Sequence, residues 1–213
     1  MRNSILPAAW NIPDKVKGNC YVFSLGPRQT RGGYTNRVYK ARPGDKCKTT
    51  KKCCYKDKEF DFSNCEEFAA RILCDNPKHV SKLRRNVLQS TTLPSGYHMF
   101  CALLSPEGNQ DFHFARRFFV SDLSKSDIKK LLERSPEPAR TQFSTILKNP
   151  NRYIWLHQRG WMAGGPILHD ASNALIRNIK TCDMKYDDLN YNRFCSFFKV
   201  KTRKATVTDR DEQ

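Results

Sequence analysis

The chain has 213 residues, of which 38% are hydrophobic and 11% aromatic, and it carries a formal net charge of +17. This apolar content suffices for one sizeable core and excludes a disordered chain, and no apolar run reaches the roughly 18 residues that span a bilayer. The N-terminus also lacks the apolar stretch of a secretory signal. We therefore expect a soluble, intracellular protein with one domain over residues 1–201 and a polar tail at 202–213.

The positive charge is concentrated at the start of the chain. Residues 1–58 contain 14 Lys and Arg against 3 Asp and Glu, so +11 of the net charge of +17 lies there. Such a patch attracts polyanions or an acidic protein surface, although a face that only keeps the chain soluble has the same composition. Segment 45–58 has a single aromatic residue among its lysines, which suits non-specific contact with phosphates rather than recognition of a base sequence.

The first elements in chain order surround a short apolar segment. Residues 1–19 contain Pro and Gly breakers and are expected to form an irregular arm. In the following segment NCYVFSL, Asn19 is a favoured N-cap residue, so a helix that begins there has Cys20 in its first turn. Residues 26–58 are rich in Gly, Pro and Lys, which indicates a long basic loop.

The clearest helix covers residues 63–74, where apolar residues recur at helical spacing. Ser63 and Glu66 have the spacing of a capping box at its start. Residues 76–93 are polar and basic, and we expect a further helix or a loop there.

The rest of the chain alternates strand-like and helical patterns. The strand-like runs are 97–104, 111–120, 152–158 and 193–200, and a hairpin-type loop, SPEGNQ, separates the first two. Residues 121–149 form a helical insertion with two short amphipathic helices, and residues 160–192 are expected to be irregular with one helical turn. The pattern predicts an α+β fold with an antiparallel sheet.

Nine cysteines raise questions of redox state and metal binding. Without a secretory signal, reduced thiols are the default, and Cys65, Cys101 and Cys195 lie in apolar segments where buried thiols are expected. A zinc site could draw on Cys47, Cys53, Cys54, Cys65, Cys74 and His79, but no two of these cysteines have the C-x₂₋₄-C spacing of a tight site. A disulfide among Cys47, Cys53 and Cys54 is the other alternative. We expect no cofactor and no metal.

Two residues have the chemistry of a thiol nucleophile and its base. The first turn of a helix lowers the pKa of a cysteine, and its N–H groups can contribute to an oxyanion hole, so Cys20 is the candidate nucleophile. His113 is the candidate base because Phe112 and Phe114 take the opposite face of its strand. A third polar group normally orients such a base, for which His157 is the candidate. Taken singly, a cysteine in an apolar run is usually a core residue and a histidine in a strand is usually a hydrogen-bonded structural residue, so neither position alone indicates catalysis.

Gln158 and Asp111 are alternatives to His157 as the orienting group, and Asp111 is the weaker of the two. His169 and Asp170 are adjacent in sequence, which favours a loop turn over a catalytic pair.

Five segments in order carry a resemblance to a known group. They are WNIP leading to NCYVFSL (10–25), ARPGD (41–45), DFHFARR (111–117), WLHQRG (155–160) and NRFCSFFKV (192–200). The chain resembles small proteins of large DNA viruses, phages and bacteria with an NCY motif, which are similar to papain-like, NlpC-type thiol peptidases and amidases. The resemblance implies a papain-like fold with a helix packed on an antiparallel sheet. It also implies a catalytic set of Cys20, His113 and His157.

The resemblance leaves more than one function open. The insertion at 121–149, the enlarged loop at 26–58 and the segment GGPILHD (164–170) depart from the pattern of the group. A thiol hydrolase would act on a peptide or amide substrate. The alternatives are a non-catalytic minor capsid or cement protein that contacts viral capsid proteins, and a polyanion-binding module that uses 26–58. The expected locations are the host cytoplasm and the virion.

Overall fold

The computed structural model describes residues 19–25, 42–44, 59–108, 110–159 and 165–201. In these ranges the α-helices are α1 (Cys20–Leu25), α2 (Cys65–Asp75), α3 (Lys125–Arg134) and α4 (Ala139–Ile146). The strands are β1 (Val80–Lys82), β2 (Tyr97–Ser105), β3 (Asp111–Phe119), β4 (Tyr153–His157), β5 (Lys185–Tyr186), β6 (Leu189–Asn190) and β7 (Arg193–Lys201). None of the helices in the described ranges is long and apolar enough to cross a membrane. The chain has an α+β fold, as the sequence predicts.

Five strands form one antiparallel sheet in the order β1-β7-β2-β3-β4, and β5 pairs with β6 in a separate ribbon. The four strands expected from the sequence correspond to β2, β3, β4 and β7, and the hairpin between β2 and β3 is confirmed. In this register Leu103 lies opposite His113, and Ala115 lies opposite His157. The two histidines are therefore carried by neighbouring strands.

Three short strands, β1, β5 and β6, were not expected. Segment 76–93 contributes β1, an edge strand in which Val80 pairs with Val200 of β7, so the expectation of a helix or loop there is wrong in part. In the described part of the irregular segment, residues 165–192, the regular elements are β5 and β6 instead of a helical turn. Strands of two or three residues are too short to show a two-residue period, which is why the sequence gives no sign of them.

Helix α2 begins after Asn64. The Asn64 side chain accepts hydrogen bonds from the N–H groups of Glu66 and Glu67 at 3.1 and 3.0 Å. The Ser63 hydroxyl instead donates to Asp61 at 2.6 Å. The expected capping box of Ser63 and Glu66 is therefore wrong. Asn and Ser are similarly good N-caps, so the sequence does not decide between Ser63 and Asn64. In the structure Ser63 bonds to Asp61 in the preceding turn, which leaves Asn64 as the cap.

A disulfide joins Cys65, the first residue of α2, to Cys195 of β7. The expectation of buried reduced thiols at these two positions is wrong, whereas Cys101 is a buried thiol, as expected. That expectation rests on the absence of a secretory signal, which says nothing about which cysteines lie close together in the fold. The pairing depends on α2 packing across β7, between residues that are 130 positions apart in sequence.

The insertion at 121–149 forms the two expected amphipathic helices. Ser124 caps α3, since its hydroxyl accepts from the N–H of Asp127 at 3.1 Å and donates to the Asp127 carboxylate at 2.7 Å. Leu131 of α3 and Phe143 of α4 are fully buried against Ile154 of β4. The insertion therefore extends the core beyond the β4 edge of the sheet.

The sheet buries both faces. Helices α1 and α2 cover one face, which holds the aromatic cluster of Tyr21, Phe68, Phe100, Phe112, Phe114 and Phe198. Segment 176–191 covers the other face, where Met99, Cys101, Leu103, Ala115, Trp155 and Phe197 are buried. Successive β3 side chains alternate between the two, so Phe112 and Phe114 point away from the face of Ala115, as the sequence predicts.

Candidate functional site

Cys20 is the first residue of α1, and the Phe23 N–H donates to the Asn19 carbonyl at 3.1 Å. This confirms the helix start expected at Asn19. The Cys20 side chain is only 5% exposed and lies in the aromatic cluster beneath the helices. Its thiol donates a hydrogen bond to the carbonyl oxygen of Phe112, with sulfur and oxygen 3.8 Å apart. Cys20 therefore meets β3 at the peptide group that joins Phe112 to His113.

Two polar contacts fix α1 against the rest of the core. The Tyr21 hydroxyl donates to the buried Asp75 carboxylate at 2.6 Å, and the Gly44 N–H donates to the same oxygen at 2.8 Å. At the other end of α1, Nε2 of His98 on β2 lies 2.9 Å from the Ser24 carbonyl. These bonds hold Cys20 in one position relative to the sheet.

The resting thiol of Cys20 is neutral. Burial raises its pKa well above the ordinary value, and the negative charge of Asp111 raises the pKa further. The N–H groups of Phe114, Tyr21 and Cys20 itself favour the thiolate and lower the pKa, but they do not outweigh burial. The N–H groups at the helix start therefore act in the expected direction, but the expectation of a lowered pKa is wrong, because the thiol sits inside the core rather than at an open helix end.

The structure brings His113 and His157 together. His113 Nε2 and His157 Nδ1 lie 2.8 Å apart, and both rings are buried. Of the three candidates for the orienting group, His157 makes this contact, whereas Asp111 bonds elsewhere. Adjacent strands in antiparallel register account for it, since His157 lies opposite Ala115, two residues from His113 on the same face.

The hydrogen bonds of His157 assign the tautomers of both rings. His157 Nε2 lies 2.9 Å from the His169 carbonyl oxygen, and a carbonyl only accepts, so Nε2 carries the proton. Burial lowers the pKa of His157 to about 4 and that of His113 well below its usual value, so both rings are neutral at pH 7. His157 Nδ1 is then an acceptor, and His113 Nε2 must donate to it. The remaining nitrogen, His113 Nδ1, therefore holds a lone pair.

The His169 carbonyl is held by a loop that Asp170 organises. His157 and Ile167 exchange two backbone hydrogen bonds of 3.0 and 2.9 Å, which dock the loop on β4. The Asp170 carboxylate then accepts from the N–H groups of Ser172 and Ala174, both at 3.0 Å. The loop turn expected at 169–170 is confirmed. Its contribution to the histidine pair was missed, because every residue has a carbonyl and the sequence does not mark the one that is used.

Tyr191 and Asp111 complete the surroundings of His113. The Tyr191 and His113 ring centroids are 4.8 Å apart, and the Tyr191 hydroxyl donates to the Asp111 carboxylate at 2.8 Å. Asp111 thus bonds to a tyrosine rather than to His113. Sequence reasoning missed Tyr191, which lies between β6 and β7 in a stretch without a periodic pattern.

The three expected site residues are only partly brought together. The histidines are hydrogen-bonded, but the Cys20 thiol bonds to a backbone carbonyl instead of an imidazole. Cys20 packs with Phe112 and Phe114, whereas the His113 ring packs on Tyr191, in the cluster of the opposite face. The arrangement supplies a lone pair on a neutral imidazole and a protonated thiol beside the same strand.

The zinc and polyanion alternatives gain nothing from the described residues. Cys65 is in a disulfide, and the described ranges contain no group of three or more His, Cys, Asp or Glu that could hold a metal ion. Cys47, Cys53 and Cys54 lie outside those ranges. The basic loop 26–58 also lies outside them, except for residues 42–44.

Comparison with protein-family models, with curated proteins and with solved structures finds no match to this chain.

Proposed function

We propose that this chain is a papain-like thiol hydrolase that acts on a peptide or amide bond. Cys20 is the nucleophile, His113 is the general base and His157 orients His113. The observation that supports this best is the assigned pair of histidines. The bond from His157 to the His169 carbonyl leaves His113 Nδ1 as a free lone pair at pH 7, which is the state a general base needs.

The reaction requires the Cys20 sulfur to leave the Phe112 carbonyl and reach the His113 imidazole, whose ring packs in the cluster on the opposite face of the sheet. His113 Nδ1 takes the thiol proton as the sulfur attacks the substrate carbonyl carbon and forms a tetrahedral intermediate. When the intermediate collapses, the carbon–nitrogen bond breaks and the imidazolium returns its proton to the leaving amine. Water then hydrolyses the thioester with His113 as base, which releases a carboxylic acid and restores the thiol.

His157 contributes to the reaction by stabilising the protonated form of His113. The bond from His113 Nε2–H to His157 Nδ1 becomes charge-assisted in the imidazolium, and such bonds are about twice as strong as neutral ones. His157 therefore fixes the tautomer at rest and stabilises the imidazolium formed during the reaction. A neutral imidazole can do this in a buried site without adding a second charge.

The test is the alkylation rate of Cys20 in the native protein, followed with iodoacetamide and peptide mass spectrometry. If His113 activates the thiol, Cys20 is labelled faster than the same residue in the unfolded chain. His113→Gln removes the base and slows the labelling by about 10²-fold or more. His169→Gln serves as the matched control, because the hydrogen bond from His157 uses only the backbone carbonyl of His169. Labelling of Cys20 no faster than in the unfolded chain excludes the hydrolase.

A second candidate is a non-catalytic structural protein of a virus particle on the same scaffold. The burial of Cys20 favours it, since the thiol is 5% exposed and bonds to a carbonyl as an ordinary core cysteine does. A structural protein would be present in purified particles in a fixed ratio to the major capsid protein, and Cys20→Ala would leave assembly unchanged. Absence from particles would exclude this candidate.

A further inference from the structure

Asp111 holds a carboxylate at the edge of the candidate site. It is the first residue of β3, two positions before His113, and it is partly exposed. The hydroxyl of Tyr191 donates to its Oδ2 at 2.8 Å, and the ring of Tyr191 packs on the His113 imidazole at 4.8 Å. Tyr191 is only 6% exposed, so the carboxylate is fixed by a rigid, buried partner next to the base.

The charge of Asp111 is not neutralised by a cation within the described part of the chain. Its hydrogen bond comes from a neutral hydroxyl, and among the described residues no Lys, Arg or His forms a salt bridge with it. A hydrogen bond from a neutral group leaves the full negative charge in place. In a chain with a net charge of +17, this is a local negative point beside the nucleophile.

That charge acts on the groups of the candidate site. Burial is the main cause of the raised pKa of the Cys20 thiol and of Tyr191, and the charge of Asp111 raises both pKa values further. A cation placed beside Asp111 would offset this repulsion of the thiolate. An anion in the same position would be repelled by Asp111.

We propose that Asp111 is a specificity-determining residue that receives an ammonium or guanidinium group of the substrate, close to the amide bond that Cys20 attacks. This inference rests on the proposed hydrolase function and narrows its substrates to cationic amides or peptides. Binding of the cation also makes formation of the thiolate easier, so the group that is recognised assists its own reaction. Neutral and anionic amides lack this assistance.

Three small reagents of different charge test the inference on the full chain. They are the 2-aminoethyl (cationic), methyl (neutral) and 2-sulfonatoethyl (anionic) methanethiosulfonates. In each case the thiolate attacks the sulfenyl sulfur, a mixed disulfide forms and methanesulfinate leaves. The rate at Cys20 is measured by peptide mass spectrometry in the wild type, Asp111→Asn and Asp111→Glu, each divided by the rate in the unfolded chain. Glu133→Gln, on α3, removes one carboxylate away from the site.

In the wild type the cationic reagent is expected to react faster than the neutral one, and the anionic reagent slower, each by about fivefold, the effect of roughly 1 kcal/mol for a partly exposed ion pair. Asp111→Asn abolishes both differences, whereas Asp111→Glu and Glu133→Gln keep them. Equal rate ratios in the wild type and Asp111→Asn overturn the role of Asp111 and leave the hydrolase standing. If Cys20 reacts with none of the reagents in the native wild type, the hydrolase and this inference both fail.

Discussion

The two faces of the sheet are built in different ways. Under α1 and α2, aromatic rings fill the space, and the ring centroids of Tyr21 and Phe114 lie 4.9 Å apart. On the opposite face, two buried histidines depend on a chain of hydrogen bonds that ends at a loop carbonyl. The candidate nucleophile thus lies among apolar side chains, although hydrogen bonds at both ends of α1 hold its helix, whereas polar contacts surround the candidate base. On the histidine face, the tautomer of His113 depends on single hydrogen bonds.

The disulfide tests how far the helix-covered face depends on a covalent link. Cys65→Ser with Cys195→Ser is expected to lower the free energy of unfolding by about 5 kcal/mol, because the link closes a loop of 130 residues. Urea denaturation of the double variant measures this, with Cys182→Ser as the control. An unfolding free energy within about 1 kcal/mol of the wild type would show that packing alone holds α2 on β7.

The histidine face is expected to respond to acid. The folded-state pKa of His157 is lowered to about 4, whereas an unfolded histidine titrates near roughly 6.5, so the unfolded chain binds more protons between these values. The contribution to stability is complete above about pH 6.5 and is lost as the pH falls toward 4. For His157 alone, the loss amounts to about 3 kcal/mol between pH 7 and pH 4.

Urea denaturation across this pH range measures the effect. Carboxylates also titrate there, so the relevant quantity is the difference between the wild type and His157→Gln, which lacks the imidazole. His79→Gln is the matched control, because it removes a histidine that lies outside the pair. If His157→Gln loses as much stability as the wild type on acidification, His157 is not held neutral.

A substitution in the loop at Asp170 is expected to have the smallest effect on the free energy of unfolding, but it should change the tautomer of His113. Asp170→Asn replaces Oδ2, which accepts from the Asp183 N–H at 3.2 Å, by an NH2 group that cannot accept, and is expected to lower the free energy of unfolding by about 1 kcal/mol. Because the loop carries the His169 carbonyl, the ¹⁵N shifts of His113 should change from one tautomer to a mixture. Asp188→Asn, on the exposed β5–β6 turn, should leave those shifts unchanged. An unchanged His113 tautomer in Asp170→Asn would mean that the loop does not determine the hydrogen bonds of the two histidines.

The sequence correctly predicts the elements in which apolar and polar residues alternate with a regular period. Apolar periodicity correctly indicates the hairpin of β2 and β3, the insertion helices, and the opposite orientation of His113 and Phe112. The start of α1 follows from the cap preference of Asn19. Each of these depends on neighbours within one turn or one strand, so local preference and the folded structure agree.

The contacts that were missed join distant segments through groups without a distinctive identity. The His169 carbonyl is chemically like every other carbonyl, and its use depends on a bridge between β4 and a loop. The Cys65–Cys195 link depends on the crossing of α2 over β7. The raised pKa of Cys20 depends on how completely the core surrounds the thiol. Such features follow from the three-dimensional arrangement, and a period in the sequence does not contain them.

The tyrosine of the NCY segment has a consequence for how this molecule can change. Tyr21 is tied to Asp75, which also receives the Gly44 N–H of the ARPGD segment, so two of the sequence pieces meet at one carboxylate. The anchor of the helix and its sulfur are therefore separate residues. Cys20→Ala would remove the thiol and leave these anchoring contacts in place, so the reactivity that we propose could be lost by a single substitution while the fold is kept.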